Sequence, residues 1–229
     1  MRWLFLWRYV MKKSLRKALC LALAVIMMVA SCTVVSFGAT GTKKMTAYTD
    51  CCKSGNYVYT VSMGGLYRYN IKTGALKRLV KINYPMYEGI TGIRVKSGYV
   101  YYSYMGMEGS AAIYRIKTSG TSKKRLAEFY SGYDNVQWAI SSGKIYYRGH
   151  KNYSCTKAFK KVMKLNGKSK KSTSYTAKTT YKINNAAKYY VIQRDVESVD
   201  EYGDEIYGYK EYLKLPSGGS VYLDTVWED

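Results

Sequence analysis

Histidine is almost missing from this chain: His150 is the only one in 229 residues. A Ser–His–acid triad would have to be built around that single imidazole. Acids are scarce as well. Fifteen Asp and Glu face 37 Lys and Arg, and six of the fifteen fall within Arg194–Glu205. The others are thinly spread, so no carboxylate pair for glycosidic cleavage can be picked from their order. Proline occurs twice and glycine 20 times, which excludes collagen-like and Pro/Gly-rich disordered classes. No phosphate loop, dinucleotide fingerprint or zinc-protease helix is present, and no cofactor is implied. Of five cysteines, Cys20 and Cys32 sit in the first 39 residues, leaving Cys51, Cys52 and Cys155. That odd number argues against a disulfide framework, although one bridge to Cys155 stays open. The adjacent Cys51 and Cys52 form no CxxC, and no second ligand pair stands near them to make a zinc site. Phe and Trp number four each.

The aromatic character is carried instead by 27 Tyr. Tyrosine suits strands and surfaces where one end of the ring is dry and the other wet. The longest apolar run, Ala18–Ala30, is 13 residues, short of the roughly 20 needed to span a bilayer. Behind the basic Met11–Lys17 it reads as the core of a secretory signal peptide, with translation beginning at Met11. Two processing sites compete. Ser36-Phe37-Gly38-Ala39 suits ordinary signal peptidase, while Val29-Ala30-Ser31-Cys32 resembles a lipobox that would make Cys32 the lipidated first residue. Residues 1–39 are therefore expected to be a signal peptide and 40–229 the mature domain. The expected location is extracytoplasmic, secreted or on the surface of a Gram-positive cell, with membrane contact only through the signal or a lipid anchor. Residues 1–39 hold six basic groups and no acid, so 31 basic against 15 acidic residues leave +16 on the remainder. Such a surface attracts polyanions in a salt-dependent manner.

After residue 45 a motif returns four times, in repeats at about 45–85, 90–130, 135–175 and 180–229. Gly92–Val95, Tyr99–Tyr104, Ala111–Lys117 and Lys123–Phe129 each carry the aromatic and β-branched composition of a strand, separated by Gly and Ser turns. Val58, Val100, Ile145 and Tyr189 are spaced 42, 45 and 44 residues apart. Four strands in a unit of about 40–45 residues is the arithmetic of a propeller blade. The fold class expected is all-β, a β-propeller-like array of about four four-stranded blades after an N-terminal signal helix. A closed four-blade ring, a ring shared by two chains and an open stack all remain compatible with it.

The strands Tyr57-Val58-Tyr59, Val100-Tyr101-Tyr102 and Ile145-Tyr146-Tyr147, with Leu66-Tyr67-Arg68 and Ile113-Tyr114-Arg115, resemble repeats of secreted bacterial β-propellers of unknown function. Those are in turn distantly similar to the YWTD propellers of low-density-lipoprotein receptors. The third and fourth copies depart from the pattern, with Val162-Met163-Lys164 and Tyr212-Leu213-Lys214 in place of Tyr-Arg. The resemblance implies a fold and carries over no catalytic residue.

The third-strand basic positions Arg68, Arg115, Lys164 and Lys214 lie 47, 49 and 50 residues apart. Insertions thus accumulate between second and third strands, where repeat proteins vary their binding surface. Around Met105–Ser110, Arg148–Lys157 and Arg194–Glu205 these loops point to His150, Arg148, Tyr153, Asp200, Glu201 and Asp204 as contact residues. The acidic run matches neither an EF-hand nor an RTX spacing, so no metal site is expected. Lys and Tyr interleave through Lys157–Lys182, but export argues against nucleic acid, and no nucleic-acid partner is expected. The expected function is a non-enzymatic binding or interaction module for an anionic cell-wall polymer, a glycan or another surface protein. A glycan-acting hydrolase or lyase, and a lipid-anchored surface assembly protein, are the alternatives.

Overall fold

The computed structural model describes residues 40–132, 135–186 and 188–227. The signal segment, the start at Met11, both processing sites and Cys32 lie outside the described residues. From Gly41 onward the chain coheres as one compact unit, and it is all-β apart from a single 3₁₀ turn at Met107–Gly109. Among the described residues no helix is long and apolar enough to cross a membrane.

Among the described residues sixteen strands follow in order. β1 (Thr42–Ser54), β2 (Tyr57–Ser62), β3 (Gly65–Asn70) and β4 (Leu76–Lys81) pair as an antiparallel meander, with only Cys51–Ser54 of β1 against β2. The second meander is β5 (Gly89–Lys96), β6 (Tyr99–Met105), β7 (Ser110–Lys117) and β8 (Lys124–Tyr130). The third is β9 (Trp138–Ser141), β10 (Lys144–His150), β11 (Ala158–Lys164) and the two-residue β12 (Lys171–Ser172). β13 (Thr176–Asn184) runs parallel to the first half of β1, Thr42–Tyr48. β14 (Tyr190–Val199), β15 (Glu205–Lys214) and β16 (Ser220–Trp227) form a separate three-stranded meander, the fourth. Ser97-Gly98 and Ser142-Gly143 close equivalent hairpins with positive φ at both central residues. That is the two-residue turn whose twist matches the flanking strands.

The meanders stack face to face, and strand periodicity decides which neighbour each side chain meets. Val58 on β2 faces a cluster with Tyr67, Tyr69, Leu213 and Leu223, shared between the first and fourth meanders. Its neighbour Tyr59 faces Leu66, Ile93, Val100, Tyr102 and Ile116, between the first and second. Tyr101 points the other way from Tyr102, towards Phe129, Trp138, Ile145, Tyr147 and Met163, between the second and third. Cys51 and Cys52 divide in the same manner, both buried and both free thiols; Cys155 is also a free thiol but only half-buried. Sheets covered on both faces need continuous apolar strands, hence runs such as Val100-Tyr101-Tyr102-Ser103 in which every residue is buried.

The Tyr–Arg pairs join one meander to the next. The Arg68 guanidinium lies 4.7 Å from the Tyr57 ring centroid and donates to the Thr118 carbonyl at 2.5 Å. Arg115 lies 4.4 Å from the Tyr99 ring and donates to the Leu165 carbonyl at 3.3 Å. In both cases the acceptor sits in the turn after the third strand of the following meander.

The strand ladder does not return on itself. The outer face of the third meander covers only Tyr146 and Val162, with Ala177 of β13 and the half-buried Tyr175. On the outer face of the fourth, Tyr190 and Tyr222 are 44% and 49% exposed.

Candidate functional site

Four cavities adjoin as a belt through shared lining residues, where the connections between second and third strands meet the connections between successive meanders. At one end lies a cavity of about 410 Å³ bordered by Asp50, Met63, Glu88, Gln193 and Glu211. Glu88 also lines the next, of about 310 Å³, together with Lys81, Tyr104, Ser110, Lys123 and Glu128. Ser110 and Glu128 are shared with a third cavity of about 380 Å³ that adds Tyr130, Tyr147, His150, Lys151 and Lys161. His150 separates this from a smaller one, about 140 Å³, holding Gln137, Arg148 and Lys160. Met63, Gly106 and Lys151, from the second-to-third-strand connections of the first three meanders, all border the belt.

Local sequence explains the tight fit of these loops. Gly109 has φ of +70°, and a Cβ there would stand 2.5 Å from the Gly132 carbonyl oxygen. The Gly109 carbonyl in turn accepts a hydrogen bond from Ser131 N at 2.9 Å. The 151–157 loop is held by Asn152, whose Oδ1 accepts from Lys157 N and whose Nδ2 donates to Thr156 Oγ1. Gly149 lets β10 approach β8, since a Cβ would meet Phe129 Cδ2 at 2.3 Å.

His150 was expected in an exposed loop. It is instead the last residue of β10, bridged to both Ala158 and Tyr130. It is half-buried, and its Nδ1 is buried without a hydrogen-bond partner. Arg148 is exposed two residues earlier on the same strand, and the Tyr153 ring meets Tyr130 edge-on with centroids 6.2 Å apart. The fold thus gathers Arg148, His150 and Tyr153 at one end of the belt.

Asp200, Glu201 and Asp204 are not brought to them. They occupy the turn of the long β14–β15 hairpin, where Asp200 Oδ1 accepts from Tyr202 N and Asp204 N, each at 2.9 Å. The run expected as a loop is mostly ladder: Arg194–Val199 pairs with Glu205–Lys210 residue for residue. Among the described residues no three His, Cys, Asp or Glu gather as a metal would require.

Charge is graded along the belt. Asp50, Glu88 and Glu211 mark one end, and Arg148, Lys151, Lys160 and Lys161 the other. Burial pushes the Asp50 carboxyl up from its ordinary value, against the lowering effect of hydrogen bonds from Cys51 Sγ and Val191 N. Burial likewise raises the Tyr104 phenol, reinforced by its short hydrogen bond to Glu88. Glu128 is paired with Arg125 at 2.8 Å.

Sequence reasoning missed Lys81, Glu88, Lys123 and Glu128, which come from connections and from a fourth strand. The signal that could have found them is the basic and acidic punctuation in and around each fourth strand, whose acids look thinly spread along the sequence.

No family model matches the chain, and no curated protein does. Similarity is found among solved structures. An isopeptidase with a bound astexin peptide is 12% identical over 72% of this chain and 25% of its own, at a TM-score of 0.40. A nidogen/laminin complex is 12% identical over 79% of this chain and 64% of its own, at 0.38. A putative TolB from Agrobacterium tumefaciens is 14% identical over 80% and 61%, at 0.38. The chain thus spans between a quarter and just under two-thirds of these chains, and likeness at this level carries no functional argument. What the structure itself defines is the class: an all-β protein of stacked antiparallel meanders with a cavity belt along one set of loops.

Proposed function

We propose that this protein is an exported, non-enzymatic binding module of β-propeller type, with about four blade-like units. Its ligand, an anionic cell-wall polymer or glycan, lies along the belt. The observation that carries the reading is continuity: Glu88, Ser110, Glu128 and His150 each belong to two adjoining cavities. An extended chain can follow such a path, whereas separate pockets would suit separate small molecules. Tyr104 and Tyr130 offer aromatic surface, and the basic end offers Lys151, Lys160 and Lys161. Polyanion binding of this kind weakens with salt.

The test is equilibrium binding of the exported protein to acidic polysaccharides at two ionic strengths. Lys151→Glu with Lys161→Glu should weaken binding at least about tenfold and flatten its salt dependence. Reversal at exposed Lys72, away from the belt, should change little. Equal loss from both substitutions would reduce the effect to net charge and reject the belt.

A second reading, a glycan-acting hydrolase, is favoured by one observation, the presence of Glu88 and Glu128 in the same cavity. Release of reducing ends from a bound glycan, abolished by Glu88→Gln or Glu128→Gln, would establish it. Export is part of the proposal too, and a lipid-anchored surface assembly protein is its alternative. Intact mass of the exported form separates a lipidated Cys32 from cleavage near Ala39.

A further inference from the structure

The 310 Å³ cavity lies in the wedge between the first and second meanders, with Lys81 from the first and Tyr102, Tyr104 and Lys123 from the second. Tyr102 is 1% exposed, lines the cavity, and has a buried hydroxyl with no hydrogen-bond partner. A phenol hydroxyl left unpaired in a dry wall costs free energy, and a ligand that supplies a partner recovers it. Its ring stacks on Tyr114 with centroids 5.2 Å apart and an interplanar angle of 9°, and Tyr104 meets Tyr114 edge-on at 6.0 Å. The hydroxyl is therefore held in a fixed position by packed rings.

The cavity's carboxylates are held by partners, whereas among the described residues its rim lysines face no carboxylate, Lys123 Nζ resting 5.5 Å from the Tyr114 ring centroid. Glu88 is hydrogen-bonded by Tyr104, and Glu128 is tied to Arg125. Lys81 and Lys123 are exposed at the rim, and no carboxylate stands within ion-pair distance of either among the described residues. Ser110 adds a hydroxyl beside Gly106, where a Cβ would come within 2.7 Å of Ser110 Oγ. The volume is at the small end of the range for small-ligand sites, about 300–1,000 Å³.

We propose that this cavity is a subsite for one anionic sugar residue, a hydroxylated ring bearing a carboxylate or phosphate group. The Tyr102 hydroxyl and Glu88 meet ring hydroxyls, and Lys81 and Lys123 meet the anionic group. The proposal deepens the binding-module reading and rests on it: the subsite is where one unit of a bound acidic polymer is recognised individually.

The experiment is calorimetric titration of the exported protein with glucuronate, glucose 6-phosphate and glucose, alongside an acidic polysaccharide. One or both anionic sugars should bind at least about tenfold tighter than glucose, as two charge-assisted contacts allow. The arm that binds identifies the anionic group. Tyr102→Phe should weaken the anionic sugar about fivefold or more while the melting temperature stays level or rises, since it removes an unpaired buried hydroxyl. Lys81→Ala with Lys123→Ala, both exposed and tolerant of change, should bring the anionic sugar down to the affinity of glucose. Equal affinity for glucose and both anionic sugars, or unchanged affinity in the paired lysine variant, overturns the subsite. If the polysaccharide still binds in that case, only the subsite has failed; if the polysaccharide also fails to bind, the belt itself is rejected.

Discussion

At the scale of single residues two guanidinium clamps join one meander to the next. Arg68 and Arg115 each combine a stacked ring with a charge-assisted hydrogen bond into the next meander. A planar fork can do both at once, and an ammonium cannot. Arg115→Lys should therefore destabilise the fold by about 1–2 kcal/mol, from the weakened cation–π contact and the lost hydrogen bond. Urea denaturation checks this, and an unchanged midpoint would remove the clamp from the account. The Tyr–Arg pairs were legible as scaffold because they recur at a fixed place in the repeat. That they reach across to a neighbour was not legible, since the accepting carbonyls lie fifty residues further on and carry no side-chain signature. Asp50 supplies a pH-dependent counterpart. Its folded pKa is raised, mainly by burial, so the folded state holds the proton more tightly than the unfolded chain. Its favourable contribution is complete below the ordinary value of 3.8 and is lost as pH climbs through the raised one. Asp50→Asn, which still offers Val191 N an acceptor, should flatten that part of the stability profile. Thermal melts from about pH 3.5 upward would show it, and an unaltered profile would mean the carboxyl is not desolvated.

At the scale of elements the fourth meander differs from the others in how it docks. Glu211, 1% exposed, accepts from Met63 N at 3.0 Å, Gly64 N at 3.3 Å and Gln193 Nε2 at 3.1 Å. Asp224 accepts from Tyr67 Oη at 2.8 Å and pairs with Arg78 at 2.7 Å. Carboxylates thus do for this interface what guanidinium groups do for the other two. Glu211→Ala would strand two backbone N–H groups and is expected to cost about 2–4 kcal/mol. The loss should be local. Hydrogen exchange should accelerate in β14–β16 before the first meander, and uniform acceleration would contradict docking through Glu211. The sequence did not single out Glu211 because an acid between Lys210 and Tyr212 looks like one more solvated strand residue. For the acidic run the error was of the opposite kind. Six acids suggested a loop, yet Val196 and Val199 sit in register with Gly208 and Glu205, and hairpin pairing carries the charged residues as an exposed strand. His150 was misplaced for a related reason: Gly149 reads as a loop residue, whereas it marks a close strand approach.

At the scale of the whole molecule, the four-fold repeat made the all-β stacking legible, and the loop insertions pointed to part of the cavity belt. That the strand ladder does not return on itself was not legible from the repeat. Lys144, Arg148, Lys160 and Lys164 lie exposed along the outer face of the third meander, and Arg194 and Lys210 along that of the fourth. Packing those faces together would bury like charges without partners. The molecule has a tyrosine-rich interior, and that interior makes the protein sensitive to alkali. Burial raises Tyr67, with its hydrogen bond to Asp224 adding to the effect, and raises Tyr147, each to about 12. Tyr102 and Tyr104 are pushed higher still, burial again leading. The folded state therefore binds phenolic protons more tightly than the unfolded chain. Stability from these groups is complete below the ordinary value of 10.0 and falls as pH rises towards 12. Because the rings belong to three inter-meander clusters, their ionisation should coincide with loss of structure instead of preceding it. Phenolate absorbance and far-ultraviolet dichroism followed together above pH 10 should show one coincident transition for the buried class. Tyr67→Phe should shift that transition to higher pH by removing one such group, at the expense of the Asp224 contact, so the variant should be less stable at neutral pH and less sensitive to alkali. A buried class that ionises in an intact fold would mean that these phenols lose their protons without unfolding, and would uncouple them from stability.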